Sequence, residues 1–215
     1  RAMEAEHCLK GGSSFQFTTS NYRITTTPKA EWKLVIDMKA DGADMSHGRR
    51  IVNIDEALKS ETAQSASLTR VELIAVILYT GPMFMIYNSI LRRWPTEIFV
   101  AFNETKNLFS TTIHVLVSAV QKLASVMRFP EGLVLYRGLG GNVRLPNSFF
   151  NADENGCRGF AEWGFMSTTA KREVAIFYSG VYEHKAYPIV FQIRVGAVDR
   201  GASIGEFSQY PGEIE

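Results

Sequence analysis

The 215-residue sequence changes texture at Pro130, and that change limits the folds open to it. Before it, apolar residues recur at helical spacing. Residues 105–127 carry the clearest pattern. Phe109, Ile113, Leu116, Val117, Val120, Leu123, Ala124 and Met127 fall three and four apart, while Ser110, His114, Ser118, Gln121 and Ser125 mark the opposite face. After Pro130, short runs rich in β-branched and aromatic residues alternate with Gly and Pro: LVLYRG (133–138), GFAEWGFMST (159–168), PIVFQIRV (188–195) and a final EIE. A short helix from about Lys171 to Ser179 interrupts them. Helices gathered in residues 55–127 and strands in 131–215 describe an α+β chain, not an alternating α/β one.

Within the helical part, Thr69-Arg-Val-Glu72 is a capping box, in which the Thr hydroxyl and the Glu carboxylate satisfy each other's backbone amides. The uncharged run Leu73–Tyr87 that follows holds Gly81-Pro82, which should kink or break the helix. A membrane span needs about 20 apolar residues, so the run reads as a buried core segment. Trp94-Pro95 ends it. Residues 55–66 read as a weak helix. Upstream, FQFTT (15–19), YRITTT (22–27) and EWKLVI (31–36) read as strands, and residues 39–53 as a loop broken by Gly42 and Gly48.

Lys plus Arg number 23 and Asp plus Glu 22, a net charge of +1. That balance lacks the basic excess expected of a nucleic-acid binder or a polybasic membrane anchor. Two cysteines, Cys8 and Cys157, make neither a disulfide framework nor a zinc site, and a reducing, intracellular setting fits them. No phosphate-binding P-loop, HExxH or GxSxG occurs, and Gly138-Leu-Gly140-Gly141 has the wrong spacing for a dinucleotide fingerprint. The four histidines are scattered, which leaves no metal expected. Residue 1 is Arg, and Glu215 ends the chain inside what reads as a strand, so both termini read as cuts.

Three places remain that could carry chemistry. Arg137 ends an apolar strand just before Gly138. It could simply reach solvent, or it could present a fixed guanidinium fork to phosphate or carboxylate. Ser167-Thr168-Thr169 suits a strand on propensity alone, yet a strand Ser can also orient a neighbouring carboxylate. Glu213 and Glu215 follow the Pro211-Gly212 turn, two apart and so on one face if the segment is a strand. They could be charges that protect an edge, or a working pair.

Taken together the three are more specific: Arg, then Ser-Thr-Thr 30 residues on, then Glu-x-Glu ending 48 residues after that Ser. The order, and the words LYRGLGG, WGFMSTT and SQYPGEIE, resemble the Arg-Ser-Glu signature of arginine-specific mono-ADP-ribosyltransferases of the cholera-toxin-like class, eukaryotic-type members included. The resemblance covers residues 68–215 well and 1–67 poorly. It implies a helical part packed on a split β-sandwich ADP-ribosyltransferase core in residues 68–215, truncated at its C-terminus. Residues 1–67 would be a β-rich extension of unknown role.

The resemblance also implies NAD as substrate, with ADP-ribose passed to exposed arginines of protein substrates. The transition state would be oxocarbenium-like, as in glycoside cleavage. By motif position Arg137 would hold the phosphates and the Gly138 backbone would meet the nicotinamide amide. Ser167 would orient Glu215, and Thr168 and Thr169 would support the strand. Glu215 would stabilise the developing cation, and Glu213 would bind the acceptor guanidinium. Residues 205–212 would form the acceptor loop, with Tyr210 either a contact or an exposed turn residue. Phe177, on the short helix, is a candidate to stack on nicotinamide, or a core residue. An NAD glycohydrolase and an inert NAD-binding or interaction module are the competing readings.

Overall fold

A computed structural model describes residues 1–39, 42–196 and 201–213. The chain begins with helix α1 (Ala2–Cys8), strands β1 (Phe17–Thr18) and β2 (Thr25–Thr26), and helix α2 (Pro28–Asp37). Short helices α3 (Ile54–Ala57) and α4 (Glu61–Ser65) lead into α5 (Arg70–Leu78) and α6 (Phe84–Arg92). Helices α7 (Thr96–Glu104) and α8 (Ser110–Val126) complete the helical part. Strand β3 (Val134–Gly138) pairs antiparallel with β4 (Val190–Arg194), in a register running from Val134 opposite Arg194 to Gly138 opposite Val190. Between them lie α9 (Asn147–Phe150) and α10 (Arg172–Tyr178). The fold is thus α+β, as the segregated sequence pattern implies.

Helix α5 is the centre of the core. Its capping box forms as expected, with the Glu72 carboxylate accepting the Thr69 amide at 2.8 Å. Every residue from Leu73 to Leu78 is buried, the mark of an interior helix apolar all round. At Gly81-Pro82 the helix opens into a single π-type turn, Tyr79–Met83, and resumes as α6. Arg70–Arg92 is thus long and apolar enough to cross a membrane by length and composition, but 89% of its most apolar window is buried inside the protein.

Helix α8 packs along α5 through Thr112, Leu116, Ala119 and Leu123, while His114 stays exposed as its polar-face position implies. Val117, read as apolar-face, is 38% exposed at the edge of that stripe. Glu72 ties the two helices. Burial pushes its carboxyl up, but the Lys122 ammonium at 2.8 Å, the Thr69 amide and the Ser118 hydroxyl outweigh that and hold its pKa at about 2.

The β-rich reading of residues 1–67 is corrected. EWKLVI lies in α2, started by Pro28 in the first turn and by the Thr27 hydroxyl accepting the Ala30 amide at 3.2 Å. Its buried residues, Pro28, Glu31, Leu34 and Val35, repeat at helical spacing. Strand propensity therefore yielded to a cap and a tertiary face. Only two residues of each upstream run pair as strands, Phe17 with Thr26 and Thr18 with Thr25.

The first 67 residues share the core with the rest: one buried cluster runs from Met3 to Phe207. Glu6 on α1 caps α8, accepting the Thr111 and Thr112 amides at 2.9 and 3.0 Å and the Thr112 hydroxyl at 2.7 Å. A carboxylate at a helix N-terminus meets unpaired amides and the positive end of the dipole. His7 is fully buried. It bonds the Met3 carbonyl and the Tyr87 hydroxyl, both at 2.7 Å, and stacks on Trp32 at 5.0 Å.

Of the sandwich implied by the resemblance, the described residues hold the β3–β4 pair, with Thr169 bridged to Tyr136 on the edge of β3 away from β4. The GFAEWGFMST run forms no strand among the described residues. It hangs from α6 by side chains: Asn88 Oδ1 accepts the Phe165 amide at 2.7 Å, and Arg92 donates to the Phe165 carbonyl at 3.3 Å. Gly164 packs closely there: a Cβ would lie 2.8 Å from both Asn88 Oδ1 and Arg92 Nε, and those side chains would have to shift.

Candidate active site

A cleft of about 560 Å³ opens between the α5–α6 break and the β3–α10 face, within the roughly 300–1,000 Å³ usual for ligand sites. Its walls come from every part of the chain. Tyr79 and Asn88 stand on the helical side, Tyr136 to Gly140 on the β3 side, and Thr19 to Tyr22 on the N-terminal side. Arg137, Gly138, Ser167, Thr168, Tyr210 and Glu213 all line it. Residues read as a constellation from spacing are therefore neighbours in space. Glu215 lies outside the described residues.

Strand β3 delivers Arg137, whose Nη1 donates to the Ser167 carbonyl at 2.7 Å. Ser167 Oγ is 2.5 Å from the Tyr79 hydroxyl, at the point where α5 breaks. Thr168 and Thr169 both line the cleft. The Thr169 backbone pairs with Tyr136, and its hydroxyl donates to the Glu213 carbonyl at 2.5 Å. Lys171 Nζ donates to the Gly212 carbonyl at 2.9 Å, so the start of α10 holds the end of the described chain.

Gly138 ends β3 under α10. A Cβ there would strike the Ala175 carbonyl and the Ser179 amide, so helix packing alone requires the glycine. Phe177 is not among the cleft residues. Helical spacing turns Val174, Ala175 and Tyr178 to the cleft and leaves Phe177 41% exposed, stacked on Tyr22 at 5.8 Å. Its neighbour Tyr178 is the aromatic that α10 gives to the site.

Glu213 closes a 3-10 turn, Pro211–Glu213, rather than starting a strand, because Pro-Gly favours a tight turn. Its Oε1 accepts two phenol hydroxyls, Tyr178 at 2.5 Å and Tyr22. Asn21 donates to the Tyr178 oxygen at 2.7 Å, which leaves the Tyr178 proton for Glu213. Burial raises the pKa of Tyr22 and of Tyr178, and the Glu213 carboxylate raises both further, so each remains a proton donor.

Tyr210 is buried rather than exposed, and the segment leading to it is clamped from both sides. Gln209 donates to the Ile77 carbonyl at 2.8 Å and, through its amide, to Thr80 Oγ1 at 3.1 Å. Its side chain rests on Gly81, where a Cβ would collide with it. Arg49 Nε donates to Gln209 Oε1 at 2.8 Å, and the Arg50 amide to the Gln209 carbonyl at 2.8 Å. Arg49 also forms a fully buried ion pair with Glu31 of α2.

A second guanidinium faces the cleft. Arg92 pairs with Glu162 at 2.8 Å. Burial pushes the Glu162 carboxyl up, but Arg92, the Gly164 amide and the charge of Arg137 more than offset it and keep it low. Two orphaned polar atoms, the Tyr210 hydroxyl and Asn21 Oδ1, lie buried at cleft residues with no partner among the described residues. A cleft with two guanidiniums, two carboxylates and unsatisfied polar atoms fits a large, polar ligand that carries charged groups.

Sequence reading missed Tyr22, Asn21, Tyr178, Tyr79, Arg92 and Glu162. For Tyr178 the helical period of α10 carried a signal. For Tyr22, 191 residues from its partner Glu213, nothing local did. No curated protein and no solved structure matches this chain. Residues 56–215, well over half of the chain, match the model of the family described as ADP-ribosyltransferase exoenzyme, so the chain belongs to that family of NAD-dependent ADP-ribosyltransferases.

Proposed function

We propose that this protein transfers ADP-ribose from NAD to arginine side chains of proteins and releases nicotinamide. One observation carries the reading: Arg137, Ser167, Thr168 and Glu213, spread over 77 positions, line a single cleft. Residues 68–215 would supply the catalytic groups, and residues 1–67 would supply one wall of the site.

Each role follows from the chemistry of the side chain. Arg137 suits an anionic diphosphate because its planar fork can bond two oxygens at once. Its bond to the Ser167 carbonyl fixes one arm before any ligand arrives. The backbone at Gly138 would meet the nicotinamide amide. Ser167, with Thr168 beside it, would orient Glu215, and Glu215 would face the positive charge that develops on the ribose as nicotinamide departs. Glu213 would receive the acceptor guanidinium. Arginine carries its charge at any working pH, so a carboxylate is needed to orient and activate it.

The test is incubation of the protein with labelled NAD and agmatine, a small guanidine acceptor, beside a Glu215→Ala control. Labelled agmatine in the wild type alone is the expected result. Free ADP-ribose without labelled agmatine would point to hydrolysis, and NAD left intact by a folded sample would refute the transferase reading.

A further inference from the structure

The N-terminal segment enters the site at one point, the turn between β1 and β2. Thr19 closes this turn, accepting the Ile24 amide on its hydroxyl at 3.0 Å and donating its own amide to the Ile24 carbonyl at 2.9 Å. The turn presents Asn21 and Tyr22 together, and both line the cleft. Three aromatic rings pack on Tyr22. His47 stacks on it at 4.7 Å with planes 12° apart, and Phe177 stacks at 5.8 Å with planes 30° apart. Tyr210 leans on it at 5.0 Å. Three segments distant in sequence thus fix one phenol, and its hydroxyl ends on Glu213 Oε1.

We propose that Tyr22 is a positioning residue for the acceptor: together with Tyr178 it holds one oxygen of the Glu213 carboxylate and leaves the other for the incoming guanidinium. This rests on the reading of Glu213 as the acceptor carboxylate. Among the described residues, no donor bonds Glu213 Oε2, whereas Oε1 has two. A carboxylate pinned at one oxygen has lost its rotation before the acceptor binds, which lowers the entropy lost on binding. Burial and the Glu213 charge both hold the Tyr22 proton in place, so the donor persists over the working pH range. The N-terminal extension thereby gains a part in acceptor selection.

Tyr22→Phe tests this, because it keeps the stacked ring and removes only the hydroxyl. The KM for agmatine should rise about tenfold, the effect of losing one hydrogen bond to a charged group, while the KM for NAD moves less than about twofold. In a Glu213→Gln background the same substitution should have almost no further effect on the agmatine KM, since the hydroxyl acts through Glu213. Equal changes in both KM values, or no change in either, would overturn the proposal. A full tenfold effect that persists in the Glu213→Gln background would overturn it too. A wild type that consumes NAD yet never labels agmatine would defeat the arginine reading itself, and the role of Tyr22 with it. That result is distinguishable, because it needs no variant.

Discussion

Arg49→Met would separate what the buried ion pair does for the fold from what it does for the site. In the wild type, Arg49 and Glu31 have side chains 0% and 2% exposed. Removing the guanidinium leaves Glu31 with only the Thr26 hydroxyl, at 2.8 Å, among the bonds described for it. Breaking a buried pair from one side costs about 3–5 kcal/mol, because the remaining charge has lost both water and partner. Gln209 Oε1 loses its donor as well, which adds toward the upper end of that range. A single domain has about 5–15 kcal/mol in all, so the variant should fold but with a much smaller margin. With a urea m-value of roughly 2–3 kcal/mol per molar, the unfolding midpoint should drop by about 1–2 M. The double variant Glu31→Met/Arg49→Met removes the stranded charge and fills the space with apolar atoms. It should recover most of the lost stability, since apolar replacement of a buried pair is often neutral or better. It should not recover transfer to agmatine, because the Arg49–Gln209 bond that places the segment before Glu213 is still missing. A single variant costing less than about 1 kcal/mol, or a double variant no more stable than the single, would refute the reasoning.

Two further outcomes follow from the core. His7 is neutral in the folded protein, with burial lowering its pKa from 6.5 to about 4. On acidification the unfolded chain takes up the proton first, so stability present above pH 6.5 is lost as the pH falls toward 4. Between pH 7 and pH 5 the loss from this group should be about 2 kcal/mol; His7→Gln should remove that slope in urea titrations, and an unchanged slope would clear His7 as its source. Gly138→Ala would drive a Cβ into the backbone of α10, costing about 1–3 kcal/mol as overpacking does and lowering Tm by about 3–10 °C. A melting curve unchanged within 1–2 °C, on the same scale of effect, would show that α10 can move aside.

The sequence disclosed what local chemistry decides. The capping box at Thr69 and Glu72, the break at Gly81-Pro82, the α8 stripe and the strands on either side of residues 139–187 are each set by residues within one or two turns of one another. EWKLVI failed as a strand for the same kind of reason taken too far. Its β-branched content was weighed, but the Thr27–Pro28 start and the spacing of Glu31, Leu34 and Val35 were not. Phe177 was chosen on residue type when the face of α10 should have been used, and that face points to Tyr178.

What could not be read is the set of contacts made by the first 50 residues with residues beyond 177. Arg49 to Gln209, Arg50 to Ser208, Asn21 to Tyr178 and Tyr22 to Glu213 are polar bonds between segments that carry no mutual pattern. Hydrophobic period predicts which face is buried, not which buried polar group will meet which. Yet such bonds are the ones a site depends on, since a buried donor without its acceptor costs about as much as a cap or a packed methyl group. The motif positions could therefore be named from spacing alone, but the device that holds Glu213 in place could not. The motif words of the sequence lie after residue 130, while one of the two phenols that hold the Glu213 carboxylate comes from a turn before residue 25. A chain trimmed to the motif-bearing part would keep Arg137, Ser167 and Glu213 and lose the Glu6 cap on α8, the Arg49 clamp on Gln209 and the Tyr22 bond together.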